Sequence, residues 1–201
     1  MAKKVPEPPV IPSEEEVKAE LERLKYKKRF GHVLRSTIYG LLVVAALSVL
    51  LATLFMPVMQ VSGTSMSPTL TDGDILCLMK TTDMHTGDLC GFYWQNKLLI
   101  KRVIAKSGDF VDIDADGNVY VNSCLIHEPY INEKALGECD LEFPYQVPDS
   151  RYFVMGDHRS TSIDSRSSAI GCVDKEQLVG RVVLRVWPFD RITWFSQGAL
   201  Q

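Results

Sequence analysis

The sequence predicts a mostly β protein attached to a single N-terminal transmembrane helix. Three observations indicate this: an uncharged stretch from Ser36 to Thr71, short strand-like segments after Pro57, and no long helical period beyond residue 72. The segments are rich in valine, isoleucine and aromatic residues, and turn-forming residues separate them. At 201 residues, the chain fits one globular domain plus appendages.

Residues 1–35 are expected to form a cytoplasmic tail. Four prolines lie among charged residues in 1–12, which predicts a disordered start. Ser13, followed by three glutamates, is an N-cap that predicts a polar helix to about Phe30. The tail carries nine Lys and Arg residues against six Glu, so its end is basic.

Residues 36–57 are predicted to form the transmembrane anchor. The nineteen residues 38–56 are nearly all apolar and would reach about 28 Å as a helix, enough to cross a bilayer core. A buried core helix would show a polar face, and a cleaved signal peptide would start nearer the N-terminus with a shorter apolar core. Basic residues precede the anchor, and the first charges after it are Asp72 and Asp74, so the N-terminus is predicted to be cytoplasmic.

Residues 58–201 are expected to form an exported, β-rich domain. The predicted strands are 74–79, 89–94, 97–104, 110–114, 118–122, 151–155 and 178–187. Five cysteines fall in this part, and none of them forms a Cys-x-x-Cys pair, so no zinc site is expected. Cys124 and Cys139 could form a disulfide, which the sequence does not decide. The net charge of −3 gives no indication of a nucleic-acid partner.

Ser65 is the candidate nucleophile. It opens the segment Ser65-Met66-Ser67-Pro68-Thr69, eight positions after Pro57 and therefore close to the predicted membrane anchor. A serine in this setting usually has only a turn role. Gly63 loosens the backbone before it and Pro68 restricts the backbone after it. A serine hydroxyl is a poor nucleophile by itself, so this interpretation requires a base elsewhere.

Lys101 is the candidate base. Apolar residues precede and follow it at 98–100 and 103–104, which predicts a buried strand position. Burial lowers a lysine pKa, and a lysine that is neutral near pH 7 can accept the serine proton. An ordinary surface lysine is the plain alternative. His158 is the other candidate base, but Asp157 beside it would point to the opposite face of a strand and orient it badly.

The segment 156–166 is the third candidate part of a site. It holds four hydroxyl side chains together with Asp157, Arg159, Asp164 and Arg166. A loop of this composition either crosslinks itself through salt bridges or lines a site.

A calcium site at 112–123 is the weaker interpretation of the acidic run there. Asp112, Asp114 and Asp116 reproduce the first half of an EF-hand loop, but Ser123 stands where a bidentate glutamate is needed. We therefore predict a hairpin turn at 116–118 and no metal.

Together these motifs resemble the bacterial type I signal peptidases, membrane-anchored Ser/Lys proteases that remove secretory signal peptides. The resemblance covers about residues 36–190. Further matching segments are Gly73-Asp74-Ile75-Leu76, Ser107-Gly108-Asp109, Val121-Asn122-Ser123 leading to Glu128-Pro129-Tyr130, and Gly180-Arg181 followed by Trp187-Pro188. The short connection from Gly117 to Arg151, together with Gly63, is similar to the compact Gram-positive form.

The resemblance implies a role for each candidate residue. Ser65 would be the nucleophile and Lys101 its base. Ser162 would orient the lysine, with Asp164 and Arg166 as a supporting ion pair. The oxyanion would be held by backbone N–H groups at Ser65, with Gly63 at the position where some members carry a serine. The residues that match the shallow apolar pockets are Val61, Met66, Leu70 and Ile100. His158 replaces the usual asparagine.

The resemblance further implies a β-barrel-like catalytic domain that works through an acyl-enzyme without a cofactor. Its partners would be the lipid bilayer and secretory preproteins with small residues at −1 and −3, and nucleic acid would not be one. Two rivals stay open: a self-cleaving Ser/Lys peptidase of the phage-repressor type, which would not need an anchor, and an inert anchored β-module. The distances among Ser65, Lys101 and Ser162 discriminate between an enzyme and an inert module.

Overall fold

The computed structural model describes residues 13–198, so the disordered start predicted for residues 1–12 lies outside the described residues. In the described part, one long helix is followed by twelve strands in two sheets. The prediction of a mostly β chain with an N-terminal apolar helix is confirmed.

Helix α1 runs without interruption over Glu14–Phe55. Ser13 caps it, because its Oγ accepts a hydrogen bond from the Glu16 N–H at 3.3 Å and the Glu16 carboxylate accepts one from the Ser13 N–H at 2.9 Å. The predicted break near Phe30 is absent from the described helix. Gly31 is the weakest helix former there, and one glycine costs a helix only about 1 kcal/mol.

The second half of α1 is long and apolar enough to cross a membrane. Its most apolar 18-residue window has a mean hydropathy of 2.5, judged by length and composition alone. The hydroxyls of Thr37 and Ser48 donate to the carbonyl oxygens of Val33 and Val44, so these polar groups are satisfied within the helix.

The strands are short except for two of ten residues. They are β1 (Val58–Gln60), β2 (Ile75–Met79), β3 (Leu89–Trp94), β4 (Lys97–Lys106), β5 (Phe110–Ile113), β6 (Val119–Val121), β7 (Cys124–Leu125), β8 (Tyr145–Gln146), β9 (Arg151–Met155), β10 (Val173–Asp174), β11 (Leu178–Trp187) and β12 (Thr193–Trp194).

The larger sheet places β4 between two neighbours. Its strand order is β1-β2-β11-β3-β4-β9-β10, with β12 also paired to β11. β3 and β4 form an antiparallel hairpin in which Cys90 pairs with Lys101, and β4 pairs on its other side with β9 through Arg102 and Met155. The central residues of β4 are buried because apolar clusters pack on both faces of the strand, with Ile100, Val103 and Ile104 each in a different cluster.

The smaller sheet has the order β7-β6-β5-β8. The β5–β6 turn is closed by Asp114, whose carboxylate accepts hydrogen bonds from the N–H groups of Asp116 and Asn118 and from the Asn118 side-chain amide. This is the hairpin that the sequence predicts, and Asp114 uses both of its oxygens to close the turn.

The β-barrel-like arrangement is not confirmed. In the described part of the chain the larger sheet has two ends, at β1 and β10, and the smaller sheet is a separate four-stranded unit. The bulge in β4 between Val103 and Ala105 shifts its register with β9, but the strands do not close on themselves.

Candidate active site

Ser65 lies in the loop that connects β1 to β2. Hydrogen bonds close the base of this loop: the Val61 N–H donates to the Asp74 carbonyl at 2.8 Å, and the Gly73 N–H donates to the Val61 carbonyl at 3.0 Å. Buried Asp74 also accepts from the Thr71 N–H and from the Arg185 guanidinium. The loop is therefore pinned at both ends, which fixes the half-buried Ser65 between them.

Lys101 comes to Ser65 from the middle of β4. Its side chain is only 3 % exposed, and its Nζ lies 2.8 Å from Ser65 Oγ, to which it donates a hydrogen bond. The two residues are 36 positions apart in sequence. The structure thus brings together the predicted nucleophile and the predicted base.

Burial is the main influence on the Lys101 amine. Loss of hydration lowers the pKa of Lys101 below the ordinary lysine value of 10.5, the Asp164 carboxylate acts in the opposite direction, and Arg166 acts with burial. The net effect on the pKa is a lowering, which favours the neutral amine that a base requires.

Lys101 is also the exception among the buried cations. In the described part of the chain, each of the four buried arginines has an acid within salt-bridge distance, as Arg102–Asp157, Arg159–Glu128, Arg166–Asp164 and Arg185–Asp74. Lys101 makes no salt bridge within these residues. A buried arginine stays charged and needs an acid, whereas a buried lysine can lose its proton.

Arg102 is a site residue that the sequence reasoning missed. Its Nε and one terminal nitrogen donate to the Asp157 carboxylate at 2.8 and 2.6 Å, and its other terminal nitrogen donates to the Gly87 carbonyl at 2.9 Å. The Thr69 hydroxyl also donates to Asp157, and the Arg102 Cζ lies 3.8 Å from the Tyr130 ring centroid. The sequence did contain an indication of this role, because Arg102 is a second cation in a strand predicted to be buried and therefore requires an acidic partner.

The loop after β9 is held by the ion pair of Asp164 and Arg166. Both side chains are fully buried, and they meet through bonds of 2.8 and 2.9 Å. Asp164 accepts from the Gly156 N–H, and Arg166 donates to the carbonyl oxygens of Arg159 and Leu136. The pair therefore fixes the start, middle and end of segment 156–166.

Gly156 leaves room for close contact between this loop and Ser65. A Cβ at position 156 would lie 2.1 Å from Ser162 Oγ and 2.5 Å from the Ser65 carbonyl oxygen, which no side chain can tolerate. Ser162 is 1 % exposed, and its Oγ has no hydrogen-bond partner among the described residues. Ser162 therefore lies beside the Ser65 backbone, but no hydrogen bond joins it to Lys101.

A second buried pair ties segment 128–130 to the same loop. The Glu128 carboxylate meets both terminal nitrogens of Arg159, and the Tyr130 hydroxyl donates to Glu128 at 2.8 Å. Burial and the Glu128 charge raise the pKa of Tyr130 well above its ordinary value, so the phenol stays protonated. The sequence resemblance included these residues but gave them no partner.

The backbone N–H groups of Gly63 and Ser65 differ in their hydrogen bonding. The Gly63 N–H donates to the Asp72 carboxylate at 2.8 Å, so it is not available to an oxyanion in this conformation. The Ser65 N–H makes no backbone or side-chain hydrogen bond within residues 13–198. Of these two N–H groups, only that of Ser65 is without a hydrogen bond in the described residues.

A small apolar cavity opens beside the pair. It has a volume of about 70 Å³, and its lining residues include Val61, Met66 and Ile100 together with Ser65 and Lys101. Leu70, the fourth predicted pocket residue, does not line this cavity; it is fully buried in one cluster with Val61, Met66 and Ile100.

His158, the alternative base, does not reach the serine hydroxyl. Its backbone N–H donates to the Ser65 carbonyl at 3.1 Å, and its Nδ1 is buried without a hydrogen-bond partner in the described residues. Asp157, which would have to orient it, is bound to Arg102 and Thr69.

No cluster of metal-ligating side chains is found within residues 13–198, and all five cysteines are free thiols there.

Comparison with known proteins assigns the chain to a family. The family model described as "Signal peptidase, peptidase S26" matches residues 34–187. The chain therefore belongs to the S26 family of signal peptidases, and the resemblance seen in the sequence is confirmed.

Individual relatives agree with the family match. The chain is 37 % identical over 154 residues to "Signal peptidase I" of Bacillus licheniformis, covering 70 % of this chain and 81 % of the relative. It is 33 % identical over 181 residues to "Signal peptidase I P" of Bacillus subtilis subsp. natto, covering 84 % and 96 %. A crystal structure of a signal peptidase I from Enterococcus faecalis covers 49 % of this chain and 96 % of that chain at 24 % identity and a TM-score of 0.41, a likeness too weak to carry an argument.

We expect a change in the geometry of the buried Arg102–Asp157 pair to be costly for stability. Arg102→Lys removes the bidentate contact and the stacking on Tyr130, so it should lower the free energy of unfolding by about 2–3 kcal/mol. Urea unfolding of the full chain in detergent measures this. Arg151→Lys is the matched control, because the Arg151–Asp174 pair is largely exposed and 3.8 Å apart, and it should cost less than about 1 kcal/mol. Equal costs for the two variants would contradict the assignment.

Proposed function

We propose that this chain is a membrane-bound serine endopeptidase that removes signal peptides through Ser65 and Lys101. The observation that carries the proposal is the 2.8 Å contact between Ser65 Oγ and the Nζ of a lysine that is buried and has no acid partner in the described residues. Membership of the signal peptidase family supplies the substrate class. An inert anchored β-module would gain nothing from this contact.

The pair supplies both halves of acyl transfer. As Ser65 Oγ bonds to the scissile carbonyl carbon, its proton passes to the neutral Lys101 Nζ. When the C–N bond breaks, Lys101 returns that proton to the departing amine, and the signal peptide stays esterified to Ser65. Lys101 then takes a proton from the water that attacks the ester carbonyl. As the bond from that carbon to Ser65 Oγ breaks, Lys101 gives the proton to Oγ, which releases the signal peptide and restores the serine hydroxyl.

Two groups near the serine would support the transition state. The Ser65 N–H is directed by no other contact in the described residues and would donate to the oxyanion. Ser162 lies beside Gly156, the residue that follows Met155 in the strand paired with Arg102. A rotation of the Lys101 side chain towards Ser162 would give the buried hydroxyl the partner it lacks, and this is how Ser162 would orient Lys101.

The apolar cavity would hold the end of the signal peptide. At about 70 Å³ it suits small side chains and excludes large ones, in agreement with small residues at −1 and −3. An extended substrate would bind through main-chain hydrogen bonds along the strands that border it.

The membrane-length helix suggests where the reaction occurs. The residues before its apolar part include Lys27, Lys28, Arg29 and Arg35, and the positive-inside rule places this flank in the cytoplasm. The β-rich part from residue 58 onward would then be extracytoplasmic, where exported preproteins emerge. The anchor also distinguishes the chain from a self-cleaving repressor-type peptidase.

Lys101→Arg should abolish preprotein cleavage, because a guanidinium remains protonated and cannot act as a base. In the wild type, turnover should rise with pH through a midpoint below 10.5, the ordinary lysine pKa, as Lys101 loses its proton. Single-turnover rates against pH, on one purified preprotein, measure this. Full activity of Lys101→Arg, or a rate that is flat with pH, would rule out the mechanism.

The lowered pKa of Lys101 also makes the stability of the fold depend on pH. Because the folded pKa of Lys101 is below its unfolded value, the unfolded chain binds more protons between the two pKa values. The free energy of unfolding should therefore rise with pH across that window and fall as the pH drops through the folded pKa.

Ser162→Ala should lower turnover about ten- to one-hundred-fold, as expected for the loss of one positioned hydrogen bond in the transition state. The free energy of unfolding should change little, because the hydroxyl makes no hydrogen bond in the structure. Ser160→Ala is the matched control: Ser160 is exposed in the same loop. Equal, mild effects of the two variants on turnover would remove Ser162 from the site.

A further inference from the structure

A second cavity lies next to the serine loop, and the mechanism above does not use it. Its volume is about 210 Å³, and it is lined by Ser67, Asn132, Glu133, Asp157 and His158. It shares no lining residue with the apolar cavity that contains Ser65. All five of its lining residues carry a polar or charged group, and the carbon atoms of their side chains also line the cavity.

Most of this lining has unused hydrogen-bonding capacity. Asp157 is bound to Arg102 and Thr69. The side chains of the other four residues make no hydrogen bond or ion pair within the described part of the chain, and the His158 Nδ1 is buried without a partner. Asn132 and Glu133 are exposed, so water satisfies their side chains in the free protein, and a polar ligand in this cavity would replace that water.

The wall that carries Asn132 and Glu133 is an exposed loop. It follows directly on segment 128–130, which the buried Glu128–Arg159 pair ties to the loop after β9 and which packs Tyr130 on Arg102. These contacts hold the wall opposite Ser67 and His158. The loop that carries Asn132 and Glu133 therefore starts from a fixed point at Tyr130.

The cavity is close to the point of cleavage. Ser67 is two residues beyond Ser65, and the His158 N–H donates to the Ser65 carbonyl at 3.1 Å. Two residues of extended chain reach about 7 Å. If the apolar cavity takes the residues before the cut, the first or second residue after the cut is the part of an extended substrate that can reach this polar cavity.

We infer that this polar cavity binds the first residues of the mature protein, on the leaving-group side of the cleaved bond, and that Glu133 makes it favour cationic side chains there. This inference rests on the proposed peptidase function. Ser67, Asn132 and His158 can each donate or accept a hydrogen bond, so they do not favour a positive or a negative ligand side chain. Glu133 is the only lining acid without a partner in the described residues, and neighbouring Lys134 donates to Asn118.

Peptide substrates that differ only after the cut test this. With one signal-peptide half, the first and second mature positions carry Lys, Gln or Glu in turn, and kcat/KM is measured with the full chain in detergent. Wild type should cleave the Lys substrates about two- to five-fold faster than the Glu substrates, as expected for a partly exposed ion pair. The preference should shrink in 1 M salt, where charges are screened beyond about 3 Å.

Variants at Glu133 locate the effect. Glu133→Gln should remove the difference between Lys and Glu substrates, and Glu133→Lys should reverse it. Glu138→Gln is the matched control, because Glu138 is an exposed acid in the same connection that does not line the cavity, and it should keep the wild-type preference.

The outcomes separate the two proposals. If wild type cleaves every substrate at one rate, or if Glu133→Gln keeps the preference, the cavity does not select the residues after the cleaved bond by charge. The peptidase function would still stand. If wild type cleaves none of the substrates, the peptidase proposal fails, and the cavity proposal fails with it.

Discussion

The structure depends on the burial of two consecutive cations, Lys101 and Arg102, in one strand. Adjacent strand residues point to opposite faces, so each has to be accommodated separately. Arg102 cannot lose its charge and is held by Asp157, Thr69 and the Gly87 carbonyl. Lys101 has no acid within salt-bridge distance in the described residues and meets Ser65 instead. The surroundings of Arg102 stabilise a permanent charge, whereas those of Lys101 favour the neutral amine.

Buried ion pairs determine where the remaining parts lie. Asp157 joins β4 to the loop after β9, and the Asp164–Arg166 pair shapes that loop. Such pairs add little net stability, but removing one partner is costly because it leaves a buried charge uncompensated. Their main effect is therefore to select one conformation of these loops, because few other arrangements satisfy all the charges. The same network shapes the polar cavity on the far side of the serine loop.

Much of this could be predicted from sequence, for identifiable reasons. β3, β9 and β11 match their predicted bounds because five or more residues carry a strand pattern, whereas β1, β7, β8, β10 and β12 are two or three residues long and carry none. Ser65 and Lys101 were found because turn chemistry and an apolar strand mark them. Leu70 does not line the cavity, and sequence cannot show this because an apolar residue gives the same pattern in a pocket wall and in the core behind it. The partner of Arg102 lies 55 residues away, and no local pattern shows such a contact.

Titration of the Lys101 amine tests the central claim most directly. Side-chain ¹⁵N NMR of the full chain in detergent, with Lys101 assigned by its loss in Lys101→Arg, follows the amine as pH changes. The account predicts that Lys101 titrates below 10.5 and does so also in Ser65→Ala, because burial is the main cause of the shift. A Lys101 that titrates at 10.5 or above would contradict the account, since the buried amine would then be charged and unable to accept the serine proton.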